Sequence, residues 1–150
     1  LDWLPTLCEI TNTKIPTNLE LDGQSHLSLL LGQPFHRKKP LQWHHYNTNF
    51  INTPNPNAVM RVDDHLICGF YDQLKKSSWK EPHLSLVQNG RLNRFQLFNI
   101  LTDPTQKNDL AKTKPVLFST LKTKLIKSHQ EMQRQAMGWK GTQRIQEPIN

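Results

Sequence analysis

The sequence predicts an α+β fold in which a small antiparallel sheet is packed by a C-terminal helix. Alternating apolar and polar side chains over residues 41–46 and 95–100 indicate two strands. Residues 58–71 have the two apolar arms and the acidic centre of a β-hairpin. Beyond Pro115, apolar residues recur at helical spacing. The predicted order of elements is therefore helix, loop, strand, hairpin, strand and helix.

Residues 1–35 are predicted to form a short helix and a loop. Asp2 is a favourable N-cap residue, and Pro5 falls in the first turn, where its missing N–H costs little. The helix is expected to carry a short apolar stripe made of Leu4, Leu7 and Cys8. A second apolar run, residues 27–31, ends at Gly32.

The middle of the chain is predicted to form the sheet. In the first strand, His44 and His45 fall on opposite faces, because successive side chains of a strand alternate. The hairpin turns at Asp63 and Asp64. These two carboxyls could form an acid pair or hold a cation, but a hairpin needs turn-forming residues at this position, and we favour the turn.

The passage NILTDPTQKNDLA, residues 99–111, is more elaborate than a surface turn requires. Asp103 and the proline after it start a turn, and Leu110 can insert into the core. Asn108 or Asp109 can accept hydrogen bonds from free backbone N–H groups. We interpret the passage as an architectural corner that leads from the last strand into the last helix, and not as a catalytic segment.

The last helix is expected to have Thr113 as its N-cap and Pro115 in its first turn. Its apolar stripe is made of Phe118, Leu121, Leu125 and Met132, with His129 on the same stripe. Residues 139–150 have no period and are predicted to form an extended tail.

Lys and Arg number 19 against 12 Asp and Glu, a formal net charge of +7. This balance suits a polyanionic partner such as a sulfated glycan, nucleic acid or acidic lipid, although the lysines of the last helix could simply form its solvated face. Aromatic residues are not interleaved with basic ones, so nucleic acid is not expected. No apolar run approaches the ~18 residues of a membrane span.

Motifs for chemistry are absent from the sequence. Seven histidines invite a metal hypothesis, but H-E-x-x-H and H-x-H do not occur. Cys8 and Cys68 form no C-x-x-C pair, and they could be free or disulfide-bonded. Neither G-x-S-x-G nor a glycine-rich phosphate loop is present. Local motifs therefore do not predict a self-contained enzyme.

Five passages nevertheless resemble sulfatases in their order along the chain. LDWLPTLCEI, with LDGQSHLSLLLG soon after, resembles the sulfatase pattern D-x-x-P-T-L … D-G-x-S … L-L-G. RKKPLQWHH resembles the segment that follows, where a basic run with proline enters a strand. AVMRVDDHLI is similar to the A-V-R-x-G-D-x-K-L hairpin, and FQLFNILTDPTQKNDLAKTKP to L-Y-N-L-x-x-D-P-x-E-x-x-N-L-A. The likeness is greatest to the arylsulfatase A and N-acetylgalactosamine-6-sulfatase branch.

This resemblance implies that the chain is the C-terminal part of an alkaline-phosphatase-like α/β sulfatase fold. It implies a sulfuric ester hydrolase that acts on sulfated glycans with a formylglycine nucleophile and calcium. Formylglycine arises within C/S-x-P-x-R, and the surroundings of Cys8 and Cys68 do not fit that motif. Both groups are therefore expected in a missing N-terminal region, which would be the protein partner of this portion. The portion alone is expected to be inactive and to bind neither group. The resemblance also implies an extracytoplasmic location, periplasmic or secreted, or lysosomal in a eukaryote.

Within the resemblance, residues 1–35 are the end of the catalytic domain, residues 36–138 a C-terminal sheet subdomain with its helix, and residues 139–150 the tail. The family's hairpin glycine, aromatic residue and lysine are replaced by Asp63, His65 and Leu66, which puts any role of that lysine in doubt.

The candidates for substrate contact are His44, His45 and Arg61, because basic side chains beside an anionic glycan are chemically sensible. Arg61 could instead pair with a nearby acid, and one of the histidines could simply be buried. The alternative function is a non-catalytic basic module that binds polyanionic glycans, with an affinity that falls steeply with salt.

Overall fold

The computed structural model describes residues 1–19, 21–45, 57–71 and 87–138. The helices are α1 (Trp3–Ile10), α2 (Leu27–Leu30) and α3 (Pro115–Ala136), and the strands are β1 (Leu41–His44), β2 (Ala58–Val62), β3 (His65–Tyr71) and β4 (Leu92–Asn99). These elements confirm the α+β prediction. The chain divides into two compact units, Leu1–Leu41 and Gln42–Asn150. The domain boundary after residue 35 stays a prediction, and the predicted tail, residues 139–150, lies outside the described residues.

In the first unit, the carboxylate of Asp2 holds the segment together. One oxygen accepts a hydrogen bond from the N–H of Gln24 at 2.8 Å, and the other accepts from Nη2 of Arg37 at 2.6 Å. Nε2 of His26 lies 3.5 Å from the second oxygen. Burial raises the pKa of the Asp2 carboxyl, but the Gln24 N–H and the charges of Arg37 and His26 hold it below its usual value.

One expectation for α1 is corrected by these contacts. Asp2 occupies the N-cap position, but its side chain does not cap the helix because Gln24 and Arg37 engage it. Leu4 and Leu7 of the expected apolar stripe are exposed, whereas Thr6 is buried. The Thr6 hydroxyl donates to the carbonyl of Asp2 and accepts from a backbone N–H of the following loop, so a polar network occupies the inner side of this helix.

The second unit is built on a four-stranded sheet with the strand order β1-β2-β3-β4. β2 pairs antiparallel with β3 in the predicted hairpin, and β3 pairs antiparallel with β4. Asp63 at the hairpin turn has a φ of 50°, in the left-handed region where Asp is better tolerated than most residues. The carbonyl of Asp64 accepts from the N–H of Ile100 at 2.9 Å. Both aspartates therefore serve the turn, as predicted.

α3 packs on one face of the sheet. Met60, Ile67 and Leu97 lie side by side across β2, β3 and β4, and all three are buried. Leu121 and Leu125 of α3 pack against this row and complete the main core. The opposite face of the sheet carries a smaller buried cluster of Cys68, Phe70 and Phe98. The predicted alternation of β4 is thereby confirmed.

The connection from β4 to α3 is held by Asp109. Its carboxylate accepts from the N–H groups of Leu97 at 3.0 Å and Ala111 at 2.9 Å. The N–H of Leu110 donates to the carbonyl of Leu97 at 2.7 Å, and the Leu110 side chain packs against the main core. One carboxylate and one leucine thus join the last strand to the last helix, which confirms the interpretation of this passage as an architectural corner.

Asp103 closes the turn that begins this connection. Its Oδ2 accepts from the N–H of Asn108 at 2.8 Å, and that bond holds the pKa of the Asp103 carboxyl below its usual value. α3 begins at Pro115, and its N-cap is Lys114, not the predicted Thr113. The Thr113 hydroxyl donates to a preceding carbonyl of the corner, so it is not used to accept from the helix.

We expect Asp109→Ala to lower the free energy of unfolding by about 1–3 kcal/mol, because it leaves the partly buried N–H of Leu97 without its acceptor. Asp109→Asn keeps a side-chain carbonyl oxygen and should cost much less. Urea denaturation followed by circular dichroism measures both losses. Equal losses in the two variants would show that the charge, and not the acceptor, stabilises the corner.

Candidate functional site

His44 is the last residue of β1, and His45 directly follows it. That the two side chains lie on opposite faces of the sheet stays a prediction. His44 is half-buried on the side of α3, where the neighbouring side chain of Gln42 bonds to Ser128 of that helix. His45 follows the strand and is exposed. Trp43 belongs to the same face as His45 by strand alternation and is 51% exposed. The two histidines therefore have different surroundings.

Three rings meet beneath α3, and we call His44, Tyr71 and His129 the ring cluster. The His129 ring stacks on His44, with centroids 5.6 Å apart and planes inclined by 23°. Tyr71 lies on His129 at a centroid distance of 5.6 Å, and its hydroxyl is 3.2 Å from His129 Nε2. The same Nε2 lies 3.3 Å from the carbonyl of Gly90, and His129 is only 3% exposed.

Both histidines of the ring cluster are neutral at physiological pH. Burial, followed by repulsion from His129, lowers the pKa of His44 to about 4. Burial also lowers the pKa of His129, against the opposing effect of its hydrogen bond to Gly90. Neutral imidazoles donate and accept hydrogen bonds but form no ion pair. His44 can therefore contact a sugar hydroxyl or a sulfate oxygen through a hydrogen bond, not as a cation.

Asn57 fixes the position of His45 beside the ring cluster. The N–H of His45 donates to the Asn57 carbonyl at 2.8 Å, and Asn57 Nδ2 donates to the His45 carbonyl at 3.2 Å. Asn57 Oδ1 accepts from the N–H of Tyr71 at 2.9 Å. One asparagine thus joins the end of β1 to the end of β3, and it holds the exposed histidine and the buried tyrosine at the same edge of the site.

Arg61 lies at the other end of β2. Its Nε donates to the carbonyl of Asp63 in the hairpin turn at 2.9 Å, and not to a carboxylate. Arg61 is four positions after Asn57 in the chain, a distance of about 13 Å for extended backbone. The structure therefore brings His44 and His45 to one end of the sheet and places Arg61 at the other.

The described residues also limit what chemistry this portion can perform. They contain no group of three or more His, Cys, Asp or Glu that could hold a metal ion. Cys8 and Cys68 are both free. Burial and the neighbouring Asp109 carboxylate raise the pKa of Cys68 to about 11, so its thiol is a poor nucleophile at neutral pH.

The sequence analysis named His44 and His45 as candidate substrate contacts. It did not name Asn57, Tyr71 or His129 as such. Asn57 and Tyr71 carried no motif, and their contacts depend on strand pairing that is not visible in the sequence. His129 stood on an apolar helical stripe, and a polar residue on such a stripe is the one signal that could have marked it.

No protein-family model and no curated protein matches the chain. Solved structures match it in fold. Ps i-CgsB in complex with k-i-k-neocarrahexaose has a TM-score of 0.60 and 18% identity over 95% of this chain. A protein from the metabolism of multiple glycosaminoglycans by Bacteroides thetaiotaomicron has a TM-score of 0.56 and 21% identity over 85%. A sulfatase from the same organism has a TM-score of 0.53 and 19% identity over 93%.

The chain has the fold of the C-terminal part of a sulfatase. It covers between 24% and 26% of these proteins, so it spans about a quarter of their length. The small antiparallel sheet with its helices is the part that matches. The resemblance to the arylsulfatase A branch and the alkaline-phosphatase-like remainder of the fold stay predictions.

We expect stability to fall between pH 7 and pH 5, because burial lowers the pKa of His44 to about 4 in the folded chain from its ordinary value of 6.5. The unfolded chain binds more protons in this window, so acid favours unfolding. The carboxyls of Asp2 and Asp103 have lowered pKa values, and their contributions are lost only at lower pH. Thermal unfolding at several pH values measures the effect.

His44→Gln should reduce this pH dependence by about 1–2 kcal/mol over the window. His45→Gln is the matched control, because it removes an exposed histidine from the adjacent position. A pH dependence in His44→Gln equal to that of the unsubstituted chain would contradict the assignment.

Proposed function

We propose that the chain is the C-terminal portion of a sulfatase that hydrolyses sulfate esters of sulfated glycans. The proposal rests on the agreement between the fold match and five ordered passages of sequence that resemble sulfatases. Matching structures include complexes with a neocarrahexaose and with D-glucosamine-2-N,6-O-disulfate. These ligands support sulfated sugars as the substrate class.

We assign the catalytic groups to an N-terminal region outside this sequence. Formylglycine and calcium held there would supply the nucleophile and the positive charge that hydrolysis of a sulfate ester requires. An extracytoplasmic location belongs to the same proposal. Among the described helices, none is long and apolar enough to cross a membrane. The present portion would contribute glycan contacts and a surface on which the catalytic region packs.

The first unit has an apolar surface that supports such a partner region. Trp3, Leu7 and Ile10 lie at i, i+4 and i+7 on α1, and they are 66%, 52% and 52% exposed. The leucines at positions 29–31 are also more than half exposed. A group of large exposed apolar residues of this kind marks a surface that contacts another protein surface. We propose the N-terminal region of the same enzyme as its occupant.

The three candidate substrate contacts keep separate roles in this proposal. His45 is exposed on the face of Trp43, whose ring can stack on the apolar face of a sugar. His44 supports that end of the sheet from beneath α3, and Arg61 would contact a different part of a long glycan. Loss of glycan turnover in His45→Ala, with turnover of a small aryl sulfate unchanged, is the measurement that tests the role of His45.

The alternative is a non-catalytic basic module that binds polyanionic glycans. Exposed lysines on α3, such as Lys124 and Lys127, favour it. It predicts heparin retention that falls steeply as salt increases. It offers no reason for the apolar surface of α1, and for this reason we place it second.

The gene upstream of Leu1 should contain a continuous reading frame with a C/S-x-P-x-R motif. Protein made from the longer frame should hydrolyse a chromogenic aryl sulfate, and the 150-residue chain alone should not. DNA sequencing and an absorbance assay of both proteins make the measurement. A stop or start codon directly before Leu1, or aryl sulfate turnover by the chain alone, would overturn the proposal.

Leu7→Asp should lower the melting temperature of the longer protein by several degrees, because it places a charge in the proposed contact between regions. In the 150-residue chain the same change should have little effect, since Leu7 is exposed there. Leu101→Asp is the matched control, because Leu101 is 67% exposed in the corner before α3. Equal behaviour of the two variants in the longer protein would argue against this contact surface.

A further inference from the structure

A groove of about 490 Å³ lies between α3 and the segment that leads into β4. Its volume falls within the range of about 300–1,000 Å³ that is typical of small-molecule sites. Its lining residues all belong to the second unit and are Gln88, Asn89, Gly90, Arg91, Leu92, Ile126, His129, Gln130 and Gln133. The groove borders the ring cluster through His129.

One wall of the groove is a single stripe of α3. Ile126, His129, Gln130 and Gln133 occupy positions i, i+3, i+4 and i+7, so a helix presents them on one side. The other wall is the backbone and side chains of residues 88–92. Each wall comes from one continuous segment of chain. The packing of α3 on the sheet brings the two walls together and so forms the groove.

Hydrogen bonds between the walls fix the shape of the groove. Gln133 Nε2 donates to the carbonyl of Gly90 at 2.7 Å, and Gln88 Nε2 donates to the carbonyl of Ala136 at 2.9 Å. In each case the amide nitrogen is engaged by the protein. The carbonyl oxygen of each side chain is then the group that remains to accept a hydrogen bond from a ligand.

The described lining residues combine amides with one guanidinium, and none of them is a carboxylate. Four of their side chains are carboxamides: Gln88, Asn89, Gln130 and Gln133. Carboxamides both donate and accept, which matches the hydroxyl groups of a sugar. Arg91 adds a planar set of donors that suits a sulfate group. None of the described lining residues carries a negative charge that would repel an anionic ligand.

Arg91 and Gln130 are the residues best placed to meet a ligand. Both are exposed, and neither side chain forms a hydrogen bond or ion pair with another residue of the described part. Arg91 precedes the first residue of β4, and Gln130 follows His129 on α3. The two thus extend from opposite walls, one as a cation and one as an amide.

We propose that this groove binds one sulfated sugar unit of a glycan chain. The guanidinium of Arg91 pairs with the sulfate, and the amides of Gln88, Gln130 and Gln133 bond to ring hydroxyls. The choice of a sulfated sugar as the ligand rests on the proposed function. The groove and its polar lining are observed in the structure and do not depend on that proposal. The apolar side chains of Leu92 and Ile126 provide the surface against which the sugar ring packs.

The test uses the 150-residue chain and a sulfated hexasaccharide prepared from iota-carrageenan. Isothermal titration measures the affinity, and NMR of the side-chain amide groups locates the contact. Arg91→Ala should weaken binding by about tenfold, as expected for the loss of one charge-assisted hydrogen-bonding group. Gln130→Ala should weaken it by about threefold. The chemically desulfated hexasaccharide should bind at least about tenfold less tightly.

Lys124→Ala is the matched control, because it removes one positive charge from the exposed side of α3 outside the groove. It should leave the affinity unchanged, and all variants should retain the melting temperature of the unsubstituted chain. Equal weakening by Lys124→Ala and Arg91→Ala would mean that net charge alone binds the anion, and this would overturn the proposal. Absence of binding, or equal affinity for the desulfated sugar, would overturn it as well.

This experiment is independent of the test of catalysis. It reads binding by the present chain, whereas the proposed function is read from the gene upstream and from turnover by the longer protein. If the chain binds the hexasaccharide in the groove but does not belong to a sulfatase, only the proposed function is refuted. If the longer protein is an active sulfatase but the present chain does not bind the hexasaccharide in the groove, only the proposal for the groove is refuted.

Discussion

The hydrogen bonds of Asp109 and the insertion of Leu110 determine where α3 lies, and the rest of the second unit depends on that helix. The carboxylate accepts from the N–H of Leu97, which is the β4 member of the buried row that α3 covers. A helix rises 1.5 Å per residue, so His129 lies about 21 Å from the start of α3 at Pro115. A small change of direction at the corner would therefore displace His129 by much more than it displaces Leu121.

The ring cluster and the groove both lie at the C-terminal end of α3. The ring cluster forms because His129 reaches His44 and Tyr71, and the groove forms because the same helical turn faces residues 88–92. The amides of this end bond to backbone carbonyls, and burial keeps both histidines neutral. Among the described residues that line the groove, Arg91 is the one with a positive charge. Such a surface discriminates by hydrogen-bond geometry as well as by charge.

The first unit shows a different balance of forces. Its interior is a polar network centred on Asp2 and Thr6, and its large apolar side chains point to solvent. A free-standing domain of this size would be expected to bury such residues. The N-terminal region that we propose as a partner would cover these exposed apolar side chains.

Several elements were predictable because their signals are local. The alternation of β4, the aspartates of the hairpin turn and Pro115 at the start of α3 depend on neighbouring residues, and all were confirmed. The order of the short passages was sufficient to predict the fold of a C-terminal sulfatase portion. Local preference failed where a distant partner competed, as at Asp2, whose carboxylate engages Arg37 instead of capping α1.

The sequence by itself determined the order of the main strands and helices and the corner that joins β4 to α3. Only the tertiary structure decided that His44 stacks on His129, that Arg61 lies at the other end of β2, and that Asn57 joins two strand ends. Only the tertiary structure brought Arg91 and Gln130 to one groove. The physical reason is that these contacts join residues far apart in the chain, and their distances follow from strand register and helix packing, which no local pattern encodes.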